Sequence, residues 1–146
     1  MAWTGCADEA PGDYTSCEPV QGEGAAVELS NATLEGVWAN CFEPVDAIEP
    51  YCDVRADGTM RVVQPVVSPE ARAGAEGSRY PDGTVLDWTY TVDSDGALTL
   101  YDERGVPDTE LEAMVPLEMT DTTIDFGATT RWQRVQCTGP GFAEGP

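Results

Sequence analysis

Leu34-Glu35-Gly36-Val37-Trp38-Ala39-Asn40-Cys41-Phe42 is the stretch from which the fold is read. In an extended chain Leu34, Gly36, Trp38 and Phe42 share one face, so the segment predicts a strand with one apolar side. The same period-two pattern recurs downstream. Tyr51–Arg55 and Met60–Val67 are predicted as strands around an Ala56-Asp57-Gly58-Thr59 hairpin turn, with Pro65 placing the second at an edge or a bulge. After a Pro81-Asp82-Gly83 turn, Thr84–Val92 sets Leu86, Trp88, Tyr90 and Val92 on one face. Asp93-Ser94-Asp95-Gly96 turns the chain into Ala97–Asp102, where Leu98 and Leu100 point inward. Leu111–Met119 alternates Leu111, Ala113, Val115, Leu117 and Met119 against glutamates, and Thr122–Phe126 and Ala128–Gln136 complete the series. Only Ser68–Ser78, with Pro69 at its start, reads as a place for a helical turn.

Seven to nine short antiparallel strands with one apolar face each must bury that face. With so little helix to cover it, the sheet must close on itself or split in two. The fold class expected is all-β, an antiparallel up-and-down barrel of about eight strands over residues 31–137. Residues 1–30 are rich in Gly, Glu and Pro and read as an acidic leader or tether; residues 138–146 read as a frayed tail.

Composition narrows the chemistry. Of 146 residues, 27 are acidic and 7 basic, a net charge of −20, and the basic residues are all Arg. A field of that sign repels phosphate backbones and argues against nucleic-acid binding, while cations and basic partners are attracted. With no His there is no Ser-His or Cys-His pair and no imidazole metal ligand, and the commonest general base near neutral pH is missing. With no Lys, Schiff-base chemistry is excluded as well. A non-catalytic protein without cofactor is the expectation.

Cysteines stand at 6, 17, 41, 52 and 137, none in a C-x-x-C pair. Disulfides among Cys17, Cys41, Cys52 and Cys137 suit a small exported domain in an oxidising compartment. Cys41 and Cys52 flank one loop and Cys17 could tie the leader to Cys137, yet four cysteines allow three pairings. Cys6, in Trp3-Thr4-Gly5-Cys6, is the odd one; Gly-Cys resembles the end of a bacterial lipobox, with Trp3 where an aliphatic residue is usual, and the alternative is a free or intermolecularly paired thiol. Lipidation there would make the membrane contact an anchor, for a cell-surface, periplasmic or extracellular location.

Leu34-Glu35-Gly36-Val37-Trp38 resembles the Gly-x-Trp motif of the first strand of lipocalins and small bacterial lipocalin-like lipoproteins. Asp57-Gly58-Thr59, Trp88-Thr89-Tyr90-Thr91-Val92 before Asp95-Gly96-Ala97-Leu98, and the closing Trp132-Gln133-Arg134-Val135 are similar to that family's hairpin rhythm and last strand. The resemblance spans roughly 34–136 and implies that Trp38 plugs one end of the barrel, with Arg134 (or Arg131 in another register) across its ring and Gly36 allowing close approach. The cysteines at 17, 41, 52 and 137 depart from the family pattern.

Function is then sought in the interior and the loops. Trp88, Tyr90, Leu100, Val115 and Trp132 are candidates to line a cup for a small apolar ligand. The same side chains could simply fill a small barrel, which leaves the alternative of a surface interaction or inhibitor-like module. The loops around 43–50, 68–83 and 102–110 lie at the end opposite Trp38. Asp93-Ser94-Asp95-Gly96 reads as a hairpin turn rather than a calcium loop, because an EF-hand register would start at Thr91. No metal site is expected.

Overall fold

A computed structural model describes residues 14–41, 48–70, 80–107, 114–127, 130–139 and 142. The elements are β1 (Ser16–Pro19), α1 (Asn31–Leu34), β2 (Gly36–Ala39), β3 (Tyr51–Val54), β4 (Thr59–Val63), β5 (Val85–Val92), β6 (Leu98–Tyr101), β7 (Glu118–Met119), β8 (Thr123–Gly127) and β9 (Thr130–Thr138). All pairings are antiparallel. The nine strands form one sheet in the order β6-β5-β4-β3-β2-β9-β8-β7, with β1 attached to β9.

The two ends of the meander meet, because β2 pairs with β9 through Val37↔Val135, Trp38↔Arg134 and Ala39↔Gln133. The ladder nevertheless does not close into a barrel, since β6 and β7 end the order without pairing to each other. One bridge, Leu98↔Met114, links across, its two backbone bonds both 2.7 Å. The chain then leaves β6 and joins β8, where Leu117 N–H donates to Asp125 O at 2.7 Å. Pro116 lies between and offers no N–H for either side.

This crossing alters the expected alternation of Leu111–Met119. Met114 packs against the core and Met119 is buried, five residues apart. An odd spacing means that the phase slips by one residue on the way. Val115 and Leu117, expected to point inward, are 53% and 74% exposed. Residues 108–113, which include Leu111 and Ala113, lie outside the described residues.

The inner face carries one buried cluster, including Leu34, Trp38, Cys52, Met60, Val62, Trp88, Tyr90, Leu98, Leu100, Ile124 and Trp132. Leu34 belongs to it from the end of α1 rather than from a strand, which begins at Gly36. The Ser30 hydroxyl accepts from Thr33 N–H and the Thr33 hydroxyl accepts from Ser30 N–H, a capping box that starts this single helical turn. Phe42, expected on the same face, lies outside the described residues, as do residues 71–79 of the expected helical turn.

Residues 14–30 are more than a leader. β1 runs opposite the end of β9, from Ser16↔Thr138 to Pro19↔Val135. Further on, Ala26 bridges Thr120, and Val27 N–H donates to Met119 O at 3.0 Å. At the other terminus Phe142 is buried and sets its ring edge-on to Tyr51, 6.1 Å between centroids, on the outer face of the sheet. An expectation of a wholly frayed tail therefore fails at Phe142: a lone large aromatic found apolar sheet surface to cover.

Two disulfides complete the frame. Cys17–Cys137 joins directly opposed positions of β1 and β9, and Cys41–Cys52 joins the segment just past β2 to β3. They suggest an oxidising, exported environment. Among the described residues no helix is long and apolar enough to cross a membrane. Cys6 lies outside the described residues.

Candidate functional site

The first cluster to assemble is Gly36, Trp38 and Arg134. Trp38 is fully buried and donates its indole N–H to Leu34 O at 2.8 Å. The Arg134 guanidinium carbon stands 4.3 Å from the Trp38 ring centroid. Its Nε donates to Asp121 O at 2.8 Å, its Nη2 to Thr33 O at 2.7 Å and its Nη1 to Glu35 O at 2.5 Å. One side chain thus ties together the end of α1, the entry to β2 and the turn before β8. Burial lowers the Arg134 pKa, and the charges of Asp121 and Glu35 oppose that shift. Gly36 has φ +136°, and a Cβ there would run into Arg134 Nη1. The arrangement is structural: every polar atom of the guanidinium is directed at backbone carbonyls.

The remaining candidates divide. Trp88, Tyr90 and Leu100 lie on the inner faces of β5 and β6, and Trp132 on that of β9; all four are buried in the common core. Trp88 donates to Glu103 Oε1 at 3.1 Å, and the Tyr90 hydroxyl donates to Arg55 O at 2.5 Å. Burial raises the Tyr90 pKa, as do the charges of Asp57 and Glu35. Trp132 packs against Phe126 at 5.5 Å and Trp38 at 6.1 Å between ring centroids, and its buried indole N–H has no hydrogen-bond partner among the described residues. Val115 stands apart from these four. It belongs to the surface, beside Leu117.

Val115 and Leu117 line a groove of about 610 Å³ at the opening between β6 and β7. It is lined by Ala26–Leu29, by the Asp93–Gly96 hairpin and by Val115–Met119. Apolar surface comes from Val27, Leu29, Val115, Leu117 and Met119, and carboxylates from Glu28, Asp93, Asp95 and Glu118. The hairpin wall is held by Asp93, whose Oδ1 accepts from Asp95 N–H at 2.9 Å and Ala97 N–H at 3.0 Å. That is the turn geometry expected for Asp-Ser-Asp-Gly, and it directs the Asp93 carboxylate at its own backbone. Among the described residues no group of three or more Cys, Asp or Glu is placed to hold a metal ion.

The groove lies at the Trp38 end of the sheet. Tyr90 N–H donates to Gly58 O at 3.0 Å, which places the β5–β6 turn at the same end as the β3–β4 turn and the start of β2. The loops in which the site was expected, around 43–50, 68–83 and 102–110, include residues 43–47, 71–79 and 108–110, which lie outside the described residues. The available signal was Pro116 inside an otherwise regular alternation, which marks a strand that cannot pair on both sides.

A second missed residue is Gln64. It is fully buried just past β4, donates to Ile48 O at 2.8 Å and accepts from Tyr80 N–H at 3.1 Å. It pins the returning ends of two long connections. On the outer face the buried Asp53 is paired with Arg55 at 3.2 Å and with Arg61 at 4.0 Å.

Comparison with known protein families, with curated proteins and with solved structures finds no match for this chain. The class defined by fold and site is an all-β antiparallel domain with two disulfides and an acid-rimmed groove at the opening of its sheet.

Proposed function

We propose that this is an exported, non-catalytic, lipocalin-like binding domain whose ligand is small and apolar, and that the ligand seats in the groove between β6 and β7. The observation that carries this reading is the groove itself. About 610 Å³ is an ordinary size for a small-molecule site, and its lining includes Val115 and Leu117, which stay in water at 53% and 74% exposure. Apolar side chains exposed together in a concave surface mark a candidate binding place. The Gly36-Val37-Trp38 and Arg134 pairing and the β2–β9 junction support a lipocalin-like barrel that is open on one side. The missing His and Lys support a role without catalysis.

The burial of Trp88, Tyr90, Leu100 and Trp132 favours a filled interior, and so favours the groove over an internal cup as the binding place. Lipidation at Cys6 remains part of the proposal, and intact mass of the native protein tests it: an unmodified Cys6 removes the anchor. The binding reading is tested with a neutral solvatochromic dye such as Nile red. Its emission should shift blue with the parent protein and not with Leu117→Asp, while Trp88→Leu keeps the shift. No shift with the parent protein overturns the reading.

A further inference from the structure

We infer that the groove selects amphiphiles that carry a positive charge, an alkylammonium or alkylguanidinium headgroup on a hydrocarbon body. The inference rests on the binding reading above and specifies its ligand. Three observations support it together. The apolar part of the lining comes from Val27, Leu29, Val115, Leu117 and Met119. The rim carries Glu28, Asp93, Asp95 and Glu118, and among the described residues no basic residue lines the groove. The described arginines that have partners are engaged elsewhere: Arg55 and Arg61 with Asp53, Arg104 with Asp102, Arg134 with three carbonyls.

Charge decides among the possible occupants. A fatty acid would bring its carboxylate beside four others, in the field of a protein of net charge −20. A second copy of this chain would set one acidic rim against another, with the same repulsion between −20 bodies. A cation with an apolar tail meets both features at once: the tail covers Leu117 and Val115, and the headgroup lies within the rim. Glu28, Asp95 and Glu118 are exposed, so their contribution is long-range attraction screened by salt rather than a fixed ion pair.

The test is calorimetric titration with three ligands that share a decyl chain, each below its micellar concentration: decyltrimethylammonium, decyl maltoside and decanoate. At low salt the cation should bind about tenfold more tightly than the neutral ligand, and decanoate more weakly than either. The preference should collapse toward 1 M salt, where the screening length is about 3 Å. In Glu28→Gln/Asp95→Asn/Glu118→Gln the three affinities should converge. In Glu18→Gln/Glu70→Gln/Asp87→Asn, which removes the same charge from exposed positions outside the groove, the preference should persist. Loss of preference in both variants would mean that net charge alone recruits the cation, and would overturn the inference. Equal binding of the cationic and neutral ligands by the parent protein would also overturn it and leave the binding reading standing. Failure of all three ligands to bind would remove the binding reading itself.

Discussion

Replacing Arg134 by Met keeps the aliphatic stem and removes the guanidinium, and the structure sets the size of the effect. Two of the three hydrogen bonds lost, to Asp121 O and Thr33 O, are part-buried at 2.8 and 2.7 Å; the third, to Glu35 O, is exposed and water can replace it. Taking the low end for charged bonds, about 1.5 kcal/mol each, and about 1 kcal/mol for the ring contact, the loss is about 4 kcal/mol. In a domain of this size that corresponds to a fall in Tm of about 12 °C. Arg134→Lys keeps a charge near Trp38 but cannot fork to three carbonyls, so it should fall between the two. Gly36→Ala adds a second arm. Its cost has a backbone part, from φ +136°, and a steric part directed at Arg134 Nη1. In the double variant with Arg134→Met the steric part disappears, so the pair should cost less than the sum by about 1 kcal/mol or more. Thermal melts followed by circular dichroism, with guanidinium unfolding for the free energies, measure all four proteins. A Tm for Arg134→Met within about 2 °C of the parent, or strict additivity with Gly36→Ala, would refute the assignment of Arg134 as the tie across this end of the sheet.

Gln64→Ala leaves Ile48 O and Tyr80 N–H without their buried partner and should lower the unfolding free energy by about 3 kcal/mol in urea titration. The disulfides should differ in weight. Cys17–Cys137 closes 120 residues and Cys41–Cys52 closes 11, so replacing the first pair by Ser should cost about 5 kcal/mol and the second about 3 kcal/mol by loop entropy. Differential scanning calorimetry of the two variants checks that order. Asp102 gives an acid signature. Hydrogen bonds from Val106 N–H, and from the Arg104 side chain and backbone, hold its pKa below the usual 3.8. Its contribution is present above that value and lost as pH falls through the folded-state pKa. The melting temperature of Asp102→Asn should therefore drop less than the parent's in melts taken from about pH 5 down to about pH 2.

The strands legible in the sequence were those with uninterrupted alternation and a glycine turn at each end. β5, β6 and the β3–β4 hairpin lie where Trp88, Leu100 and Asp57-Gly58 place them. The Gly36, Trp38 and Arg134 cluster was reached through the family resemblance, which left Arg131 open as the partner; the β2–β9 register sets Arg134 opposite Trp38. β1 was not legible, because Ser16-Cys17-Glu18-Pro19 has no apolar period; its place is set by a covalent bond to Cys137 and by the exposed side of β9. Gln64 was missed because a buried amide has no sequence signature apart from the two loop ends it joins. The groove was missed for a different reason. Alternation from Leu111 to Met119 predicts an inner face, but it assumes one partner strand throughout, and this segment changes partner at Pro116. The residues that carry the proposed binding site are those at which the local pattern and the long-range pairing disagree.

The central proposal is that the ligand lies in the groove between β6 and β7 and not inside the sheet. Intermolecular nuclear Overhauser effects between a bound decyl chain and the protein's methyl groups and indole protons test this most directly. The chain protons should show contacts to the methyls of Val27, Val115 and Leu117. Contacts instead to Trp88, Leu100 and the Trp132 indole, with none to Leu117, would contradict the proposal and return the site to the interior.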